Sequence, residues 1–201
     1  MSAATFYASG KLLLSSEYFI LDGAQGLAIP TVYGQRMDVT NLPTHTNTLY
    51  WKAFTSTQIL WLDLVFDKQT LQATTDCKEA NMLSLMLQKI REQQPDFLMQ
   101  GNDVAVVTHL EFPNAWGLGS SSTLLACLAQ WINIDWYTLL KETIGGSGYD
   151  VACGLAKTPV LYSIEAGRPL VKSVGFQPEF SEQLYFAYLG KTQLSSQGIQ
   201  H

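Results

Sequence analysis

"PNAWGLGSSSTLLACLAQW", residues 113–131, sets a Gly-x-Gly turn and three consecutive serines directly ahead of a run of helix-forming apolar residues. Gly117 and Gly119 admit backbone angles closed to other residues, at an entropic cost. Ser120, Ser121 and Ser122 belong to the residue types that cap helix N-termini. Leu124, Cys127, Leu128 and Trp131 then recur at helical spacing and make one apolar stripe. A helix N-terminus left open behind glycines, with backbone N–H groups free to approach a ligand, is an anion site. A Gly-x-Gly by itself fits an ordinary serine-capped loop just as well. The rest of the chain decides between the two.

The composition describes a well-packed protein. Of 201 residues, 47% are hydrophobic, 14% charged and 11% aromatic, enough for a sizeable core and too apolar for long disorder. A net charge of −5 offers no basic field to a nucleic-acid backbone. A phosphate ligand must then be met by local dipoles, a few placed cations and a metal. Cys77, Cys127 and Cys153 lie far apart with no CxxC pair, which argues against disulfides or zinc and for free buried thiols in a reducing compartment. The N-terminal "MSAATFYASGKLLL" has no basic region ahead of a long apolar core and is not read as a signal peptide. No membrane partner is expected either, because no long uninterrupted apolar run occurs. The expected compartment is the cytoplasm.

Hydrophobic patterning predicts strands at "TFYASGKLLLS" (5–15), "EYFILDG" (17–23), "QRMDVTNL" (35–42), "NTLYWKAF" (47–54) and "QILWLDLVF" (58–66). "KEANMLSLMLQKIREQQ" (78–94) reads as a helix with Met82, Leu83, Met86, Leu87 and Ile90 on one face, closed by Pro95. "DVAVVTHLEF" (103–112) is a strand leading into the glycine–serine turn, "YTLLKETI" a short helix, and a further helix begins near Asp150. "PVLYSI" (159–164) and "QLYFAYLG" (183–190) are predicted as the last strands. Strands and helices do not alternate strictly, so the predicted class is α+β.

Three stretches together carry more information than any one. "SGKLLLSSEYFILDGAQGLAIP" resembles the first motif of the GHMP kinases, the superfamily of galactokinase, homoserine kinase, mevalonate kinase and phosphomevalonate kinase. "PNAWGLGSSS" resembles their phosphate-binding motif, P-x-x-x-G-L-G-S-S-A. "GGSGYDVACG" is similar to the S-G-x-D-x-A segment of the mevalonate kinase branch. The resemblance runs from about residue 8 to residue 196. It implies a ribosomal protein S5 domain 2-like fold spanning residues 1–201 as the N-terminal, ATP-binding domain.

The resemblance also implies roles. Gly117, Leu118, Gly119, Ser120, Ser121 and Ser122 would hold the phosphates of ATP, with the Ser121 hydroxyl on Mg2+. Asp150 matches the general base, and Lys11 matches the lysine that stands beside it. Glu17 and Tyr18 would frame the same cleft. Three positions depart from the family's pattern: Ser16 replaces a glycine, Ser122 stands where alanine is usual, and spacing puts Leu139 where the second magnesium ligand, a glutamate, is found. Glu142 is the nearest carboxylate to that place. A third glycine-rich motif and the C-terminal domain that carries it are not found in the sequence.

The implied reaction is transfer of the ATP γ-phosphoryl group to a small-molecule hydroxyl or phosphate, with motif wording closest to mevalonate and phosphomevalonate kinases of isoprenoid synthesis. A mevalonate diphosphate decarboxylase-like enzyme and a truncated nucleotide-binding module without turnover are the rival readings. Surface left open by the absent domain predicts a homo-oligomer and little activity from the 201-residue chain by itself.

Overall fold

Alternation of side chains along the strands explains the architecture. In β3 (Thr48–Phe54), Leu49, Trp51 and Ala53 are buried while Tyr50 and Lys52 are exposed. In β5 (Val104–Leu110), Val104, Val106, Thr108 and Leu110 point inward and the residues between them are half-exposed. A period of two over several strands means one covered face and one open face. The computed structural model describes residues 3–17 and 19–190, so Tyr18 lies outside the described residues.

Among the described residues the sheet has seven strands. β4 (Leu60–Asp67), β3, β5, β2 (Gly26–Asn41), β6 (Val160–Glu165) and β7 (Arg168–Ser173) follow in that order, and β1 (Ala3–Leu13) pairs with β2. β3 and β5 run parallel and the other pairings are antiparallel. β2 is the long central strand: residues 35–41 pair β5, and residues 26–28 pair β6. Pro30 sits between those two zones, where the missing N–H costs no ladder bond to either strand.

Among the described residues four α-helices cover the buried face. They are α1 (Lys78–Gln93), α2 (Ser120–Ile132), α3 (Trp136–Glu142) and α4 (Tyr149–Leu155). Leu83, Met86, Leu87 and Ile90 of α1 share one core with Met37, Trp51, Phe66 and Leu125. Full burial of such side chains stabilises the fold by roughly 1.5–3 kcal/mol each. α2 and α4 lie across β1 and β2. α2 is buried on more than one stripe, since Leu125, Ala126, Cys127, Leu128 and Ala129 are all inside.

The structure confirms the α+β class and corrects four local expectations. "EYFILDG" is no strand: Phe19–Asp22 form a 3-10 turn in which Ile20 is buried and Phe19 and Leu21 are exposed. β2 begins nine residues earlier than the pattern over 35–42 suggested. The final strand among the described residues is Arg168–Ser173, whereas residues 184–189 of "QLYFAYLG" join no strand, the Phe186 ring lying 5.7 Å from that of Trp116 and Tyr185 being 89% exposed. Finally, the residue capping α2 is Gly119, and the three serines are its first helical residues.

Candidate active site

β1 delivers the first residue. Its register against β2 shifts between Ser9 and Lys11, and past that irregularity the Lys11 N–H reaches the Leu118 carbonyl at 3.1 Å. The strand therefore hands its edge to the glycine–serine loop. The Lys11 side chain continues across the loop: Nζ donates to the Gly117 carbonyl at 3.1 Å and lies 5.4 Å from the centre of the Tyr149 ring.

The loop arrives from β5 through a 3-10 turn at Asn114–Trp116. Leu118 is buried with Leu110 and Phe112, which pins the loop to the core. Gly119 then turns the chain at φ 90°, ψ 48°, a left-handed conformation, and no side chain caps α2. Its leading N–H groups are left for solvent or a ligand. Asn114 accepts a hydrogen bond from the Ser120 hydroxyl. Ser121 is exposed at this turn, and Ser122 is 4% exposed.

α4 delivers the carboxylate. Asp150 is in its first turn, half-buried, where the helix dipole favours negative charge. The Ser122 hydroxyl donates to Asp150 Oδ2, and the Val151 N–H donates to Oδ1 at 3.0 Å. On the same helix, the Cys153 thiol is buried. Burial pushes it up to about 12, while Lys11 pulls it down and Asp150 pushes it up. Both charges are thus felt by one thiol, with Lys11 bonded to the loop at Gly117 and Asp150 bonded to it at Ser122. Among the described residues, however, no ion pair joins Lys11 to Asp150.

Two expected members are elsewhere or alone. Glu142 is exposed on the last turn of α3, where its charge acts on Lys89 of α1. Glu17 is exposed in the loop after β1. Ser16 accounts for the glycine it replaces: it stands at φ 65°, in the left-handed region, and its hydroxyl donates to the Gln25 carbonyl at 2.9 Å. A hollow of about 570 Å³ opens at the far end of β1 between Ala4, Val39, Phe97 and Trp131. Seven residues along the strand put it roughly 23 Å from Lys11.

Sequence reading missed two contacts here. It took Ser122 for a helix-capping and phosphate-binding loop residue in place of alanine, and did not see that burial turns its hydroxyl inward to Asp150. It passed over Tyr149, whose ring flanks the Lys11 ammonium. Neighbourhood in sequence to Asp150 was the available signal for Tyr149.

No family model and no curated protein matches the sequence. Solved structures do. Lactococcus lactis galactokinase complexed with galactose superposes with a TM-score of 0.62 at 14% identity, over 87% of this chain and 48% of that one. The Methanococcus jannaschii mevalonate kinase gives 0.62 at 13% identity, over 90% and 58%. Streptococcus pneumoniae phosphomevalonate kinase, in complex with phosphomevalonate and AMPPNP, gives 0.54 at 18%, over 81% and 50%. The chain has the GHMP-kinase fold. It spans about half the length of these neighbours.

Within the GHMP-kinase fold of this chain, an uncapped α2 behind Gly119 suits nucleotide phosphates. For magnesium the protein offers less. Among the described residues no three His, Cys, Asp or Glu side chains form a group that could hold a metal ion. The hydroxyl exposed at the loop is that of Ser121. No helix among the described residues is long and apolar enough to cross a membrane.

Proposed function

We propose that this chain is the ATP-binding half of a GHMP-type kinase that phosphorylates a small-molecule hydroxyl or phosphate, with mevalonate and phosphomevalonate as the first acceptors to test. The observation that carries the reading is the junction of Ser122 with Asp150, which sets a carboxylate at the mouth of an uncapped glycine–serine helix. With a hydroxyl acceptor, Asp150 takes the hydroxyl proton as the acceptor oxygen bonds to the γ-phosphorus, and ADP leaves with the electron pair of the broken P–O bond. Lys11, held at the Gly117 carbonyl, supplies positive charge beside the transferred group. Magnesium would neutralise charge on the phosphates. This chemistry needs positioning and charge more than covalent help from the protein. Its setting is the cytoplasm, where three free thiols stay reduced.

The neighbours' greater length supports a second half that shields the triphosphate from water. Alone, the chain exposes Phe180, Tyr185 and Leu189 after β7, and such surface favours self-association. The test is MgATP-dependent phosphorylation of mevalonate and phosphomevalonate, read by ADP release, with gel filtration of the same sample. Little turnover and a self-associated species are expected from the 201-residue chain, and turnover is expected once a C-terminal half is supplied. Carbon dioxide release from mevalonate diphosphate would favour the decarboxylase reading. Nucleotide binding with no transfer in any form of the chain would leave a binding module.

A further inference from the structure

Asp150 belongs to α4 and the glycine–serine loop to α2, 28 residues apart in sequence, yet one side-chain bond joins them. Ser122 is the third helical residue of α2, so its Cα moves with the turn that would hold phosphates. The side chain is 4% exposed and cannot trade its bond to Asp150 for one to water. The cation expected at the carboxylate is engaged differently, with Lys11 Nζ on the Gly117 carbonyl and the Tyr149 ring. The Val151 N–H also donates to Asp150, but it comes from the next residue and fixes nothing across the two helices.

We propose that Ser122 is a positioning residue that ties the Asp150 carboxylate to the first turn of α2, so that occupation of the phosphate loop is transmitted to the carboxylate. This inference rests on the kinase reading of the same site. Physically, a carboxylate with one oxygen bound to the loop has its rotamer set by the loop. Without the hydroxyl, Asp150 keeps only its local bond and turns independently of α2. A misplacement of about 1 Å at a reacting group costs up to a hundredfold in rate.

The experiment uses the full chain labelled for NMR, with MgADP as the probe, in the wild type and in Ser122→Ala and Ser122→Thr. Alanine keeps the helix and is the residue the resembling motif carries at this place, so the first variant is expected to fold. In the wild type, MgADP is expected to shift the amide signals of Ser120 to Ser122 together with those of Asp150 and Val151. In Ser122→Ala the loop signals still shift and those of Asp150 and Val151 stay within the noise. Ser122→Thr, which restores the hydroxyl, restores the joint response. Where turnover is measurable with a C-terminal half supplied, Ser122→Ala is expected to lower kcat by about tenfold to a hundredfold with the KM for ATP unchanged. Equal responses of Asp150 and Val151 in the wild type and Ser122→Ala overturn the proposal while leaving the kinase reading intact. Wild-type loop signals that ignore MgADP overturn the kinase reading, and the proposal falls with it.

Discussion

Replacing Gly119 by alanine isolates what the proposed phosphate loop demands of its backbone. The residue stands at φ 90°, ψ 48°. An L-residue in left-handed geometry costs about 1–2 kcal/mol. A Cβ built there lies 3.4 Å from Lys11 Cε, 3.6 Å from Lys11 Cγ and 3.7 Å from Ser122 Cβ, ordinary contact distances. The cost is therefore backbone strain with no overlap added. For a chain of this size that converts to a fall in Tm of roughly 2–8 °C. The methyl group also enters the space between the loop and the Lys11 stem, where a phosphate oxygen would approach the N–H groups of α2. MgATP affinity should fall by about tenfold or more, the loss of one charge-assisted hydrogen bond. Gly117→Ala is the control. Gly117 has φ 71° and nothing within 4 Å of a built Cβ, so strain is expected without the blockage. Thermal unfolding and calorimetric titration with MgATP measure both effects. An unchanged Tm and unchanged affinity in Gly119→Ala would refute the reasoning, because the loop would then owe nothing to this conformation.

Asp150→Asn, with a C-terminal half supplied, should lose orders of magnitude in turnover and keep ATP affinity within a few-fold, as steady-state kinetics and titration will show; a kcat near wild type removes Asp150 from the chemistry. Thiol labelling of the native protein at pH 8 should modify half-buried Cys77 first, because Cys127 and Cys153 are buried and their thiols are pushed up to about 12; rapid reaction of all three contradicts the packing. Asp103 is fully buried, and although burial opposes its charge, donors from Thr44, Thr48 and Thr46 outweigh burial and hold its carboxyl well below the usual range. The folded carboxyl titrates below the unfolded one, so its stabilisation is complete above about pH 5 and is lost as pH falls below about 4. Asp103→Asn should cost about 2–3 kcal/mol at pH 7 and flatten the acid side of the urea-midpoint profile; a profile as steep as wild type would place the acid sensitivity elsewhere.

Periodicity was legible wherever one face is buried and the strand has neighbours. β3, β4, β5 and α1 lie within a few residues of their expected positions because core packing and local pattern agree in them. "EYFILDG" failed because apolar composition says nothing about chain direction. Ser16 at φ 65° turns the chain, and Ile20 alone then carries the burial. "QLYFAYLG" failed for the opposite reason: its composition suits a strand, but β7 already holds the place beside β6. The β7 stretch, which the pattern did not mark as a strand, has a proline and two charges among six residues, which is how an edge strand reads. At the site, Lys11, the loop and Asp150 were readable from motif wording. Glu142 was not, since spacing along a helix fixes no direction in space, and α3 turns it toward α1.

What brings the site residues together is backbone packed on backbone, which no side-chain pattern reports. Gly154 of α4 lies so close to β1 that a Cβ there would be 2.8 Å from the Ser9 carbonyl oxygen. Gly10 is equally confined, with a built Cβ 2.6 Å from Thr31 Oγ1. Between these two approaches β1 changes register, and the next residue is Lys11, bonded through its N–H to Leu118. The strand thus fixes α4 on one side of the irregularity and the glycine–serine loop on the other. Asp150 stands one helical turn from Gly154, and Ser122 one turn into α2. Their contact is then a consequence of how closely two helices can sit on one strand. A side chain at 154 would push α4 off the Ser9 carbonyl of β1, and one at 10 would press on Thr31 of β2 and on Leu118 of the loop. The glycines that shape the candidate site therefore extend beyond the loop where they first drew attention, and those at 10 and 154 act by distance where the one at 119 acts by angle.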